Sequence, residues 1–255
     1  MTERVRLLDT PWFLKLAAGV ALLLVWELAV RGLAPAYVAK PTMIVRVLAT
    51  VLSDAKFLSA ATATLTAVAS GLALSVLAGA AVGMTMGRVP WVELALRYYV
   101  NSLFATPMIA ILPLLTLWFG YTGDARLATI VFAAFFSITV NTCDGARAVP
   151  HEYLEVARSF RAPAWKSLID VVLPASMPYL LAGLRLAAGR ALIGATVAEF
   201  FTSINGLGYY ILFNSRTFRH NEAFVAVIVL VAAGVGFEVL VGWAARRYMP
   251  WSRRA

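Results

Sequence analysis

Apolar runs as long as a bilayer-crossing helix recur along the chain at about 14–33, 62–86, 97–119, 126–146, 178–200 and 222–244. A spanning helix needs about 20 mostly apolar residues, so the pattern predicts six membrane-spanning helices with both chain ends on one side. Between the first two runs, "AKPTMIVRVLATVLSDAKFLSA" places Ile44, Val47, Leu48, Val51 and Leu52 at helical spacing, with Arg46, Asp54 and Lys56 off that stripe. The stripe fits an amphipathic helix on the outer membrane interface, and equally a short cap helix without lipid contact.

Three features stand out inside the runs. Gly79, Gly83 and Gly87 recur every four residues, which aligns small residues on one helix face and permits close helix contact. Pro107 and Pro113 interrupt the third run; each removes a backbone hydrogen bond, and the resulting break either lines a cavity or is a packing kink. Charge inside a membrane is costly, and Glu27, Arg185, Arg190, Glu199 and Glu238 are the candidates, with Arg190 the deepest. Arg190 and Glu199 read first as structural pairs or helix-terminal contacts.

Composition agrees with the pattern. Of 255 residues, 61% are hydrophobic and 14% charged, against about 25% charged in soluble proteins. The net charge of +9 needs no polyanionic partner, because Lys and Arg accumulate on cytoplasmic loops; nucleic acid is not expected. Twelve of them fall on the side that holds both termini and seven on the other. The expected division is a cytoplasmic tail over 1–13, a membrane-spanning domain over 14–244 with a cytoplasmic loop over 147–177, and a basic cytoplasmic tail over 245–255. The first 36 residues imitate a secretory signal, ending in "LAPA", but the long apolar stretch reads as an uncleaved first helix. Cys143, the lone cysteine, supports no disulfide framework and reads as a small buried side chain.

Catalytic patterns are missing. The chain has no HExxH, CxxC or GxSxG, and its two histidines, His151 and His220, fall on opposite sides of the membrane. None of the 17 glycines is followed by lysine, as a phosphate-cradling P-loop requires. No catalytic residue, metal site or cofactor is expected on this chain; ATP and Mg, if used, belong to another subunit.

The loop over 147–177 is long for a helix connection. "PHEYLEVARSF" opens with Pro150 and puts Glu152 and Glu155 near a helix N-terminus, where negative charge is favoured. Leu154, Ala157 and Phe160 follow at helical spacing, an apolar patch suited to a partner's groove. "APAWKSLIDVVLP" reads as a turn, a second short helix carrying Trp165, Leu168 and Ile169, and a proline stop before the fifth span. From the residues alone, a docking element for a cytoplasmic subunit and an interfacial helix pair that returns the chain to the membrane stand even.

In register, this stretch resembles the Glu-Ala-Ala, Gly, Ile-x-Leu-Pro signature of the membrane-spanning subunits of bacterial ABC importers. Glu155, Val156 and Ala157 stand at the first three positions, Arg161 at the glycine, Val171 at the isoleucine, and Leu173 and Pro174 at the end. Arg161 departs from the pattern, because that glycine makes a turn calling for positive φ. "AKPTMIVRVL", "ATPMIAILPLLTLWFG", "PYLLAGLRLAAGRALIGATVAEF" and "NGLGYYI" further resemble the nitrate, sulfonate and taurine importer permeases. The resemblance implies an all-α fold of the type I importer permeases in the bacterial inner membrane. It also implies a second permease copy, two ATPase subunits that bind ATP and Mg, and a periplasmic binding protein. Glu152, Glu155, Ala157, Arg158 and Arg161 would meet the ATPase, with Leu173 and Pro174 setting the turn into the membrane. Thr106, Met108, Asn141 and Glu199 are the candidates for the translocation path. The implied solute is a small anion such as a sulfonate, taurine or nitrate; similar permeases also carry pyrimidine vitamin precursors, riboflavin and aromatic acids. An ATP-independent secondary transporter or channel would call for internal repeats, and a membrane scaffold would leave the signature unexplained.

Overall fold

The computed structural model of the protein describes residues 11–35 and 37–249. The helices are α1 (Pro11–Leu33), α2 (Pro41–Leu52), α3 (Ala55–Arg88), α4 (Pro90–Ala105), α5 (Met108–Phe119), α6 (Gly123–Arg147), α7 (His151–Ser159), α8 (Ala164–Ser167), α9 (Leu173–Thr202), α10 (Leu207–Arg216) and α11 (His220–Tyr248), with a π-helical turn, Leu168–Val172, joining α8 to α9. No strand occurs among the described residues. Of the expected tails, residues 1–10 and 250–255 lie outside the described residues; Pro11 to Phe13 already belong to α1 and residues 245–248 to α11.

The centre is built from α3, α6 and α9, and small residues set their spacing. A Cβ on Gly79 would lie 3.0 Å from the Phe135 carbonyl oxygen, and one on Gly87 would lie 2.6 Å from the Ala146 Cβ. The predicted glycine face of α3 therefore meets α6. Contacts along the two helices rise together, Gly71 on Ile130, Gly79 on Ile138 and Gly87 on Ala146, so α3 and α6 run parallel. Glycines also space α6 from α9, with Gly145 against Tyr179, Gly183 against Asn141 and Gly194 against Ala133. Here the numbers run in opposite senses, so that pair is antiparallel. Ala67, Ile130, Ala134, Ile138, Ala187, Ala191 and Ala195 fill the seam.

That parallel register decides how α4 and α5 lie. Arg88, at the end of α3, donates to the carbonyl of Ala146, at the end of α6, so those two ends are neighbours. The segment between must carry the chain back to the start of α6. The pair α4 and α5 is therefore one broken span, bent by 102°, and not a loop that re-enters on the same side. The span expected over 97–119, with interruptions at Pro107 and Pro113, is corrected to these two pieces, which begin at Pro90 and are broken only before Pro107. The break falls at Thr106, which is extended at φ −69° and ψ 131°, as a residue before proline prefers. Pro113, by contrast, sits inside α5 without ending it.

A second correction concerns the fifth span. Pro174 does not stop a helix, and Leu173 and Pro174 do not turn the chain: helix runs unbroken from Ala164 to Thr202, 39 residues, where 178–200 was expected. Proline lacks an N–H and its ring crowds the carbonyl four residues back, here that of Asp170. The wider π turn just before it, in which the Leu173 N–H donates to the Leu168 carbonyl, accommodates the ring without a break. The other expected spans match α1, α3, α6 and α11 within a few residues, apart from an earlier start of α3 at Ala55.

At the far end from α7, α2 packs as a cap. Ile44 and Val51 of its stripe are buried with Phe57, Leu207, Val225 and Ala226, so the stripe faces protein. Glu27 of α1 clamps the start of this helix: its carboxylate accepts from the Thr42 N–H at 3.1 Å, the Thr42 hydroxyl at 2.8 Å and the Arg31 Nε at 2.6 Å.

Glu199 is the corresponding latch for the centre and is fully buried, at 0% exposure. Its Oε1 accepts from Thr64 Oγ1 at 2.7 Å and Arg126 Nη1 at 3.1 Å, and its Oε2 accepts from the Gly208 N–H at 2.8 Å. The Thr64 oxygen also accepts from the Leu207 N–H at 2.8 Å. One carboxylate thus joins α3, α6, α9 and α10. The "NGLG" stretch serves it by being small: a Cβ on Gly206 would overlap the carboxylate, and one on Gly208 would lie 2.6 Å from the Thr196 carbonyl oxygen.

Two outcomes follow from this packing. Gly83→Leu, whose side chain would drive into the α6 backbone at Thr139, abolishes a monodisperse detergent-solubilised protein, whereas Gly19→Leu, with open space around it, leaves the elution profile unchanged. Glu199→Ala leaves the partly buried Arg126 with only the Asn205 carbonyl and unpairs the Thr64 hydroxyl and the Gly208 N–H, lowering stability by about 3 kcal/mol. Thr64→Val, which removes two hydrogen bonds, costs about 1–3 kcal/mol; thermal unfolding in detergent checks both.

Candidate functional site

Two regions gather the residues that the sequence singled out. The first is the connection from α6 to α9. Here α7 ends at a left-handed residue: Arg161 has φ 51°, its N–H donates to the Arg158 carbonyl at 2.8 Å, and the Ala162 N–H donates to the Ala157 carbonyl at 3.0 Å. This pair of bonds is the Schellman closure, which normally places glycine where Arg161 stands. Arginine therefore adopts the backbone conformation that the signature glycine would supply.

The face of α7 turned inward is the one expected to face a partner. Leu154 is buried with Met84, Ala146, Val149 and Val172, and Ala157 is buried beside it. Ala157 therefore offers a partner little surface, at the edge of the cleft beside α8. The apolar residues that α7 exposes are Tyr153, Val156 and Phe160, at helical spacing, with Phe160 83% exposed. Trp165, at 60%, and Ile169 are likewise exposed beyond the turn. Glu152, Glu155, Arg158 and Arg161 flank these side chains in exposed positions, and His151 Nδ1 lies 3.1 Å from the Glu155 carboxylate. A cleft of 520 Å³ opens between α7, α8 and the end of α3, lined in part by Arg88, Arg158, Trp165 and Leu168.

The second region lies at the break between α4 and α5. A cleft of 270 Å³ is lined there by Leu103, Phe104, Thr106, Met108, Phe136 and Arg190, among others. Of the four path candidates, Thr106 and Met108 both line this cleft. The other two are elsewhere: Asn141 lies in the α6–α9 seam, donating to the Ser137 carbonyl at 2.8 Å, and Glu199 is in the latch. The residue that the path candidates omitted is Arg190. Its guanidinium carbon stands 4.0 Å from the Phe104 ring centre, a cation–π contact. No carboxylate among the described residues pairs with it, so the structural ion pair expected for Arg190 is not formed. Its signal was a charge midway along an apolar run; what the run could not reveal is that the break between α4 and α5 would lie beside it.

At the end opposite α7, a groove of 690 Å³ is lined in part by Asp54, Lys56, Asn205, Tyr209, Tyr210 and Arg219. Burial pushes the Tyr210 phenol above its ordinary range, and the charges of Asp54 and Glu222 act in the same direction.

The left-handed turn yields a direct test. A non-glycine residue there costs about 1 kcal/mol, so Arg161→Gly raises stability by about that amount, read as a higher thermal midpoint in detergent.

Comparison with known proteins places this architecture. Residues 71–254 match the family described as "Binding-protein-dependent transport system inner membrane component". The chain is 31% identical over 239 residues to the formylaminopyrimidine transport permease protein ThiX of Halalkalibacterium halodurans, covering 91% of this chain and 93% of that protein. It is 32% identical over 183 residues to the putative aliphatic sulfonates transport permease protein SsuC of Bacillus subtilis, covering 70% of this chain and 66% of that one. With the bicarbonate transport system permease protein CmpB of Synechococcus elongatus the identity is 31% over 185 residues, 72% of this chain and 66% of that one. An all-helical bundle built on a parallel α3–α6 pair, matched over most of its length by transport permeases, makes the chain a member of the binding-protein-dependent inner membrane component family, the ABC transport permeases.

Proposed function

We propose that this chain is the membrane-spanning subunit of an ATP-driven importer, paired with a second copy of itself, two ATPase subunits and a soluble binding protein. The observation that carries the coupling part is the exposed surface of Tyr153, Val156, Phe160, Trp165 and Ile169. It lies at the end of the bundle where Arg88, Arg147, Arg158, Arg161 and Lys166 gather, the end taken as cytoplasmic by its positive charge. Exposed aromatic and aliphatic side chains with charged neighbours, beyond the ends of apolar spans, mark an interaction site. Both termini are then cytoplasmic, and the groove around Tyr209 and Tyr210 faces the binding protein.

Transport in this reading is a shift of population between two arrangements of the paired bundles. ATP draws the ATPase subunits together, and each carries the α7 seated in it. Because Leu154 packs with Val172 and Met84, a displacement of α7 is passed to the start of the long fifth helix and the end of α3. Glu152, Glu155, Arg158 and Arg161 supply polar contacts around the apolar patch. This chain contributes no step of ATP chemistry; it converts the partner's motion into access to one side or the other.

The solute is read as a small anion of the sulfonate, taurine, nitrate or bicarbonate kind. A second reading, an uncharged pyrimidine, is favoured by the near full-length match to ThiX.

The test is ATP hydrolysis by this chain reconstituted with its ATPase and binding protein. Phe160→Ala and Arg161→Glu lower stimulated hydrolysis at least tenfold, and Glu155→Ala lowers it less, while all three insert and elute as wild type. Unchanged assembly and hydrolysis in all three would remove α7 from the coupling role.

A further inference from the structure

Arg190 lies halfway through the bundle. The α6–α9 contacts, Gly183 on Asn141 and Gly194 on Ile130, set it level with Ala134, near the centre of α6. A cation at that depth is costly against lipid and marks a pathway or a buried partner. Arg190 has no carboxylate partner among the described residues, and its side chain is not packed away but faces the cleft. Phe104 holds the guanidinium by its ring face, leaving the N–H fork free to donate.

A second feature of the same cleft points to the same ligand chemistry. Thr106 and Met108 line it, and Met108 begins α5, so the first turn of a 12-residue half-helix opens there. A helix start presents unpaired N–H groups and a positive dipole end, and discontinuous membrane helices use such ends to hold anions. The opposing end of α4 is partly neutralised: the Ser102 and Leu103 carbonyls accept from the Thr106 hydroxyl at 2.8 Å and the Thr106 N–H at 3.2 Å.

We propose that Arg190 and the first turn of α5 form a mid-membrane site for a small oxyanion, a solute carrying a carboxylate, sulfonate, nitrate or bicarbonate group. The planar guanidinium matches such groups with paired hydrogen bonds, which lysine does less well. Phe104, Phe136 and Met108 supply the apolar wall, so charge is read at one point and the rest of the solute only by size. This assignment rests on the importer reading for its place in a transport path, and its chemistry is tested apart from transport.

The first arm uses thiol labelling. In a Cys143→Ser background, Ala105→Cys places a single thiol on the cleft wall of the chain assembled with its ATPase in membrane vesicles. It is labelled with an anionic sulfonatoethyl and a cationic trimethylammonium-ethyl methanethiosulfonate, each rate being normalised to that with free cysteine. The anionic reagent is expected to react about tenfold faster. Arg190→Gln brings the ratio to about one, and Arg190→Lys retains most of it. No labelling by either reagent, or a ratio that Arg190→Gln leaves unchanged, overturns the site. The second arm is uptake by proteoliposomes holding the chain, its ATPase and its binding protein, with taurine, nitrate, bicarbonate and formylaminopyrimidine as probes. ATP-driven uptake of an anionic probe that falls at least tenfold in Arg190→Gln supports the assignment. ATP-driven uptake of formylaminopyrimidine alone overturns it while leaving the importer intact. Charge-selective labelling without any ATP-driven uptake keeps the oxyanion site and removes the importer.

Discussion

In a bilayer, burying apolar side chains brings little gain, because lipid tails are as apolar as leucine. Helices that stay together there do so by close van der Waals contact and by hydrogen bonds satisfied inside the protein. The whole bundle depends on this constraint at the seams between α3, α6 and α9, where glycine after glycine lets one backbone rest on its neighbour. The parallel running of α3 and α6 is set by those contacts, and from it follow the return path of α4 and α5, the bend between them and the cleft beside Arg190.

Polar groups are then spent sparingly. Glu199 makes its three bonds to three other helices, and Glu27 secures α1 to α2 in the same fashion. Both carboxylates are saturated by protein donors, which is how a membrane protein tolerates them. At the α7 end, Glu93 accepts from both Arg97 and Arg147, tying α4 to α6. Arg190 differs from all the arginines in these pairs, since its partner is an aromatic face and its donors stay available.

Much of this was legible in the chain. Apolar run lengths located α1, α6 and α11, and the spacing of Gly79, Gly83 and Gly87 marked a real contact face. The spacing around Glu155 and Arg161 located α7, and the glycine position proved to hold the left-handed residue. Other features were not legible because they depend on tertiary partners. Periodicity said that α7 had an apolar stripe but not that Leu154 would be covered by Val172 and Met84, leaving Tyr153, Val156 and Phe160 outside. Pro107 and Pro174 are both prolines in apolar surroundings, yet only the first breaks a helix. At Pro174 a π turn had already widened the spiral, and no propensity scale carries that information. Glu199 looked like a charge near a span end; its role required knowing that Thr64 and Arg126, distant in sequence, converge on it.

The unbroken helix from Ala164 to Thr202 has a mechanical meaning. Its first turn carries Trp165, on the surface beyond the spans, and its middle carries Arg190, about 25 residues and roughly 38 Å further along. One piece of secondary structure therefore reaches from the water to the centre of the membrane without a loop between. A loop would absorb a push as slack, whereas a rod passes it on as tilt or rotation, yielding only at the π turn and at Pro178. The fifth span is in this sense a lever with its handle outside the membrane and the guanidinium partway along its arm, and the glycine seam with α6 is the fulcrum on which it turns.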